Sequence, residues 1–165
     1  MRTASLAVAA LGCGGADPVD VGLHASTFEL PPGTVLQHAA AENPQTGPVR
    51  WMLAEGSTWE IREGAEWESA AVVRVLEVGQ DADLTVGGEV VLPATVAKGS
   101  TAGDARVTEV GPFEGWYGTY DPAASVEINA GQAAGTWVFA EGFGPVFYTI
   151  DGSAWDLVYY EERAL

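Results

Sequence analysis

The chain has 165 residues, 47% of them hydrophobic and 10% aromatic, so it can bury a real core and is not intrinsically disordered. Asp and Glu number 23 against 7 Lys and Arg, a formal net charge of −16; that surface repels phosphate backbones, which excludes nucleic acid as a partner and leaves no basic patch for anionic lipid. A single cysteine, Cys13, allows no intrachain disulfide, and two histidines, His24 and His38, are too few for a clustered zinc site.

The chain opens with Met1-Arg2-Thr3-Ala4-Ser5-Leu6-Ala7-Val8-Ala9-Ala10-Leu11-Gly12 and then Cys13. A basic start, a small apolar run and a small residue before cysteine resemble a bacterial lipoprotein signal ending in a lipobox, Ala10-Leu11-Gly12-Cys13. The resemblance implies that residues 1–12 are a signal peptide, that Cys13 carries palmitate-type acyl chains, and that these hold the chain to a cell-envelope membrane. Gly14, in the place where Asp marks inner-membrane retention, favours the outer membrane by the same resemblance. The plain alternative is an Ala-rich N-terminus with a free thiol. The apolar run is shorter than the roughly 20 residues a spanning helix needs.

Residues 13–27 read as a flexible tether, opened by Gly14-Gly15-Ala16-Asp17-Pro18 and lacking a period of 2 or 3.6. A single β domain is expected over 28–165. There 21 glycines and 9 prolines, counted over the whole chain, punctuate short β-branched and aromatic runs. His38 to Glu42 gathers several helix formers, but Pro44 stops the run.

Five stretches alternate with period 2, the signature of half-buried antiparallel strands. In Ser57–Arg62, Trp59 and Ile61 oppose Glu60 and Arg62. From Glu66 to Val75, Trp67, Ala71, Val73 and Val75 share the apolar face, and a break or bulge is expected near Leu76 so that Glu77 avoids it. Trp137 aligns with Phe139, Val146 with Tyr148 and Ile150, and Trp155 with Leu157 and Tyr159. Pro93 should make Leu84–Ala97 an edge strand or two short pieces. Residues 99–105 read as a loop, Asp121-Pro122 as a turn and Asp151-Gly152-Ser153 as a hairpin turn. The fold expected is all-β: an antiparallel meander of about nine or ten short strands, curled as a half-barrel, barrel or sandwich.

Trp51-Met52-Leu53-Ala54-Glu55-Gly56 echoes Trp137-Val138-Phe139-Ala140-Glu141-Gly142. Either a duplicated hairpin forms paired walls of a groove, or one common hairpin solution was reached twice. The second copy continues as Phe143-Gly144-Pro145-Val146, and the whole resembles a Trp-aromatic-Ala-x-Gly-x-Gly-x-Val hairpin of small secreted bacterial β-proteins. Their aromatic-x-Leu-Pro-x-Gly opening is similar to Phe28-Glu29-Leu30-Pro31-Pro32-Gly33. The resemblance implies architecture and compartment and carries no activity; positive φ is expected at Gly142 and Gly144.

Chemistry-bearing patterns are scarce. His24 lies in the expected tether and His38 reads as a surface residue; no nucleophile elbow, phosphate loop or zinc helix accompanies them. Asp81-x-Asp83-x-Thr85 has the opening spacing of a calcium loop, but Val86 and Leu92 stand where a glycine and a bidentate Glu belong. Asp81 and Asp83 therefore remain weak metal candidates beside the reading of a polar turn, and no cofactor is expected. Six tryptophans and five tyrosines are many for this length. Trp116, Tyr117 and Tyr120 fall on both faces of one strand, so they are read either as core and cross-strand pairs or as a binding face. The expected function is a lipid-anchored envelope β domain, monomeric and without enzymatic activity, that binds or scaffolds an envelope protein or glycan. A carrier of an apolar ligand in a half-barrel cavity is the alternative, and an envelope hydrolase is the least supported.

Overall fold

The computed structural model describes residues 22–66 and 69–162; Cys13, the signal segment, most of the expected tether and Trp67 lie outside them. The described chain is all-β. Twelve antiparallel strands curl into one nearly closed, barrel-like sheet, in the order β7-β6-β5-β4-β3-β2-β14-β13-β12-β11-β10-β9. In chain order its strands are β2 (Thr34–Ala40), β3 (Val49–Glu55), β4 (Thr58–Glu63), β5 (Ala71–Val78), β6 (Leu84–Val86), β7 (Glu89–Leu92), β9 (Thr101–Ala102), β10 (Ala105–Glu114), β11 (Thr119–Ile128), β12 (Gly135–Ala140), β13 (Gly144–Ile150) and β14 (Ser153–Glu162). A separate two-stranded piece pairs β1 (Leu23–His24) with β8 (Thr95–Val96).

The strand count, fourteen, exceeds the expected nine or ten because the Leu84–Ala97 run divides into three and because short strands form where a tether (β1) and a loop (β9, within 99–105) were expected. Gly87 and Gly88, both at positive φ, turn β6 into β7, and Pro93 ends β7 as an edge strand before β8. Residues 38–40, in the short run of helix formers, continue β2. The stretch read as tether already contains structure: His24 lies in β1, and a single 3-10 turn (Ala25–Phe28) follows. Phe28 and Leu30 are buried there, and Leu30 packs against Gly144 at the start of β13. This segment packs into the core, and the Ala25 N–H donates to the Ala94 carbonyl at 2.9 Å.

Alternate connections of an antiparallel meander share an end. The lower rim carries the turns at 56–57, 79–83, 115–118 and 141–143. The upper rim carries the connections β2–β3, β4–β5, β6–β7, β9–β10, β11–β12 and β13–β14. The last is the expected two-residue hairpin, with Asp151 at φ 52° and Gly152 at φ 78°. Gly142 and Gly144, at φ 74° and 64°, also match expectation.

Bulges overturn three expectations of facing. On β5, Ile61 pairs with Arg74 and Arg62 with Val72, so Val73 is the extra residue. Past it the phase inverts: Arg74 and Leu76 share the side of Ile61 and Trp59, while Val73, Val75 and Glu77 face out. The strand runs on to Val78 with no break at Leu76. On β14 the extra residue is Val158, which turns Tyr159 outward, unlike Trp155 and Leu157. Asp121-Pro122 is a cis bond inside β11, at an irregularity where two residues oppose Pro112; a proline without a donor fits there.

The interior is filled by Trp59, Trp137, Tyr148, Phe139, Leu36, Met52 and Ile61, all fully buried. The echoed hairpins do not form paired walls. Trp137 points inward opposite Tyr148, whereas Trp51 pairs with Gln37 on the outer face, so the two copies present opposite phases.

Candidate functional site

Two places bring unusual chemistry together. The first is the β10–β11 connection at the lower rim. Thr108 is an extra residue on β10 and a second irregularity lies opposite Pro112, features that bend a ribbon. The bent tip reaches β14, where the Trp116 N–H donates to Asp156 Oδ1 at 3.2 Å. Gly115 lets the tip approach closely: a Cβ there would lie 3.1 Å from Asp156 Oδ1 and 3.3 Å from the Phe113 and Tyr120 rings, tight enough that these side chains would have to shift.

Trp116 and Tyr117 stand 58% and 47% exposed on this tip, while Tyr120 is buried at 4%. The three residues singled out by sequence are thus neighbours in different roles. Tyr120 belongs to a ring cluster centred on Phe143 of the β12–β13 turn. Phe143 lies 5.2 Å from Tyr120, 5.0 Å from Tyr160 and 6.4 Å from Tyr117 between ring centroids, so it props the exposed Tyr117 from beneath.

Carboxylates surround this aromatic shelf. Asp156 is half-buried, and desolvation raises its pKa against the N–H bonds of Trp116 and Leu157, which lower it. Glu162 accepts from the Tyr160 hydroxyl at 2.5 Å, and burial, reinforced by Glu162, pushes that phenol up to about 12. The Tyr120 hydroxyl is held above the usual phenol range by burial and by Asp156, and it has no hydrogen-bond partner. Such a surface can stack on a flat or cationic group and accept its hydrogen bonds.

The second place is the interior just below the upper rim. Trp137, Tyr148 and Trp155 form a stacked row across β12, β13 and β14, with centroids 4.9 and 6.5 Å apart. The Arg50 guanidinium covers Trp155 at 4.2 Å and pairs with Glu63 at 3.2 Å. Arg74, turned inward by the β5 bulge, pairs with Asp151 at 3.0 Å.

His38, expected on the surface, is fully buried in this layer. Its Nε2–H donates to the Pro145 carbonyl at 2.7 Å and its ring meets Tyr148 edge-on at 5.0 Å. Burial pushes its pKa down from 6.5 to about 4, so it is neutral at pH 7. His38 Nδ1 and Trp155 Nε1 are buried without hydrogen-bond partners, and the buried Tyr148 hydroxyl faces the Arg50 guanidinium.

Asp81 and Asp83 lie in the β5–β6 turn, where the Gly79 N–H bonds the Asp83 carbonyl at 2.8 Å. Among the described residues no group of three or more His, Cys, Asp or Glu side chains is placed to hold a metal. Asp156, Phe143, Tyr160 and Arg50 escaped the sequence reading. Alternation already sends Asp156 outward between Trp155 and Leu157, but nothing local announces that a hairpin three strands away folds onto it. Compared with known proteins, the chain matches no family model, no curated protein and no solved structure.

Proposed function

We propose that this chain is a lipid-anchored module of the cell envelope that captures a basic protein partner on the aromatic shelf around Trp116 and Tyr117. One observation carries the reading: two large aromatic side chains are held out in solvent on a tip that Asp156, Gly115 and Phe143 fix in place. A side chain exposed on a rigid support loses little freedom on binding. The charge of −16 draws cationic groups toward it, and the ring faces accept them. The anchor rests on the sequence Ala10-Leu11-Gly12-Cys13.

A carrier would need room along the barrel axis, where Trp59, Phe139 and Tyr148 are fully buried; that packing favours surface binding. The hydrolase reading gains nothing from a histidine closed off from solvent.

Two experiments test the proposal. Alkyne-palmitate should label the wild type and not the Cys13→Ser variant; absence of label in both removes the anchor. Titration with a lysine-rich peptide, followed by NMR, should perturb the Trp116 indole. Trp116→Ala should weaken the complex about fivefold, the equivalent of about 1 kcal/mol. Unchanged affinity in Trp116→Ala and in Tyr117→Ala would remove the shelf from the binding face.

A further inference from the structure

The geometry points to the free edge of β5 as a docking site for an extended basic segment of a partner protein, which adds to the barrel wall as one more strand. β4 pairs with β5 over its whole length, from Ala71 to Glu77, but β6 pairs only with Leu76, Glu77 and Val78. Beyond Val86 the β6–β7 hairpin has already turned at Gly87 and Gly88. Along Ala71–Val75 one side of the strand therefore has no ladder partner among the described residues, and alternate N–H and C=O groups face the gap.

The wall beside this edge is incomplete. A cleft of about 260 Å³ lies there, bounded by Val73, Arg74 and Val75 of β5, by Val86 and Gly87, and by Gln132 of the β11–β12 connection. Val72, Val73 and Val75 are 37% to 47% exposed on the outer face: Val72 lies opposite the outward Arg62, and the Val73 bulge keeps Val73 and Val75 away from the core. An unpaired edge beside exposed β-branched residues is what strand addition uses: backbone bonds give affinity, and alternate side chains give selectivity.

Charge selects the occupant. Both nearby arginines are already engaged, Arg74 with Asp151 and Arg62 with Glu60, while Glu77 lines the cleft. An incoming strand with apolar residues over the valines and Lys or Arg beside Glu77 meets complementary charge. A second copy of this chain brings another net charge of −16 and is disfavoured. This inference is independent of the aromatic shelf.

The test uses the whole protein and an acetylated (Lys-Val)4 peptide, with a second peptide of equal charge N-methylated at alternate residues. The first peptide should slow amide exchange at Ala71–Val75 by about tenfold or more, and the N-methylated peptide should not. Val75→Lys should remove most of that protection, the equivalent of an about tenfold weaker complex at this edge. Equal protection of Ala71–Val75 by both peptides, or no protection there, overturns the proposal. So does concentration-dependent protection of these amides without peptide, which would assign the edge to a second copy.

Discussion

His38 keeps one ring nitrogen bonded to the Pro145 carbonyl and the other in a layer of aromatic rings, closed off from water. Its pKa of about 4 in the fold against 6.5 unfolded means that the unfolded chain binds the proton more readily. Stability is then fully present above pH 6.5 and is lost as pH falls toward 4, by up to about 3 kcal/mol. His38→Gln keeps a donor for Pro145 and removes the titration. In urea melts between pH 7 and pH 4.5 the variant should lose less stability than wild type; parallel losses would show that His38 is not the acid-sensitive group. Nothing in the sequence distinguishes this histidine from a surface one, because its neighbours Gln37, Ala39 and Ala40 are not an emphatic apolar run. Burial comes from β14 and β13, more than 100 residues away in the chain.

At the level of strands, the period-2 pattern located β4, β12 and β13 and their inward faces, since Trp59 and Ile61 stand between polar neighbours and Trp137, Tyr148 and Ile150 each adjoin a threonine. Its errors fall at bulges. One extra residue at Val73 exchanges the faces of β5, and one at Val158 expels Tyr159, and a pattern of alternating apolar letters does not encode which residue is unpaired. For the same reason half of the candidate shelf was legible: the aromatic cluster 116–120 is visible in the sequence, and the bend that seats it on Asp156 is not. Gly135 gives a test of strand register. It sits at φ 142°, and a Cβ there would lie 2.3 Å from the Thr149 carbonyl oxygen. Gly135→Ala should cost about 2–4 kcal/mol by thermal or urea unfolding. Gly142→Ala, also at positive φ but with open space around it, should cost only about 1 kcal/mol. Similar losses would mean that backbone conformation, and not the Thr149 contact, decides.

Across the whole molecule, closure depends on more than backbone ladders. β7 is one edge of the twelve-stranded sheet, and it is fastened to the β11–β12 connection by Glu89, whose carboxylate accepts the Ala133 N–H at 2.9 Å. Backbone N–H groups of Gln132 and Ala133 lower the Glu89 pKa, so the fastening holds through the ordinary carboxylate range and fails only as pH falls below it. Glu89→Gln should speed amide exchange at Ala133 and along β7 at pH 7, and should abolish any further acceleration on acidification. An unchanged exchange pattern would show that packing alone shuts the seam.

The first and last long strands, β2 and β14, are ladder partners from Thr34 opposite Glu162 to Ala40 opposite Trp155. The free edges of the sheet, β7 and β9, consequently fall in mid-sequence, joined through β8 and the turn at 97–100. A chain cut in that turn loses no strand-to-strand pairing of the main sheet. Two separately made pieces, 22–97 and 101–162, carry the seams that join them, and the fold is in that sense a fragment-complementation pair supplied as one polypeptide.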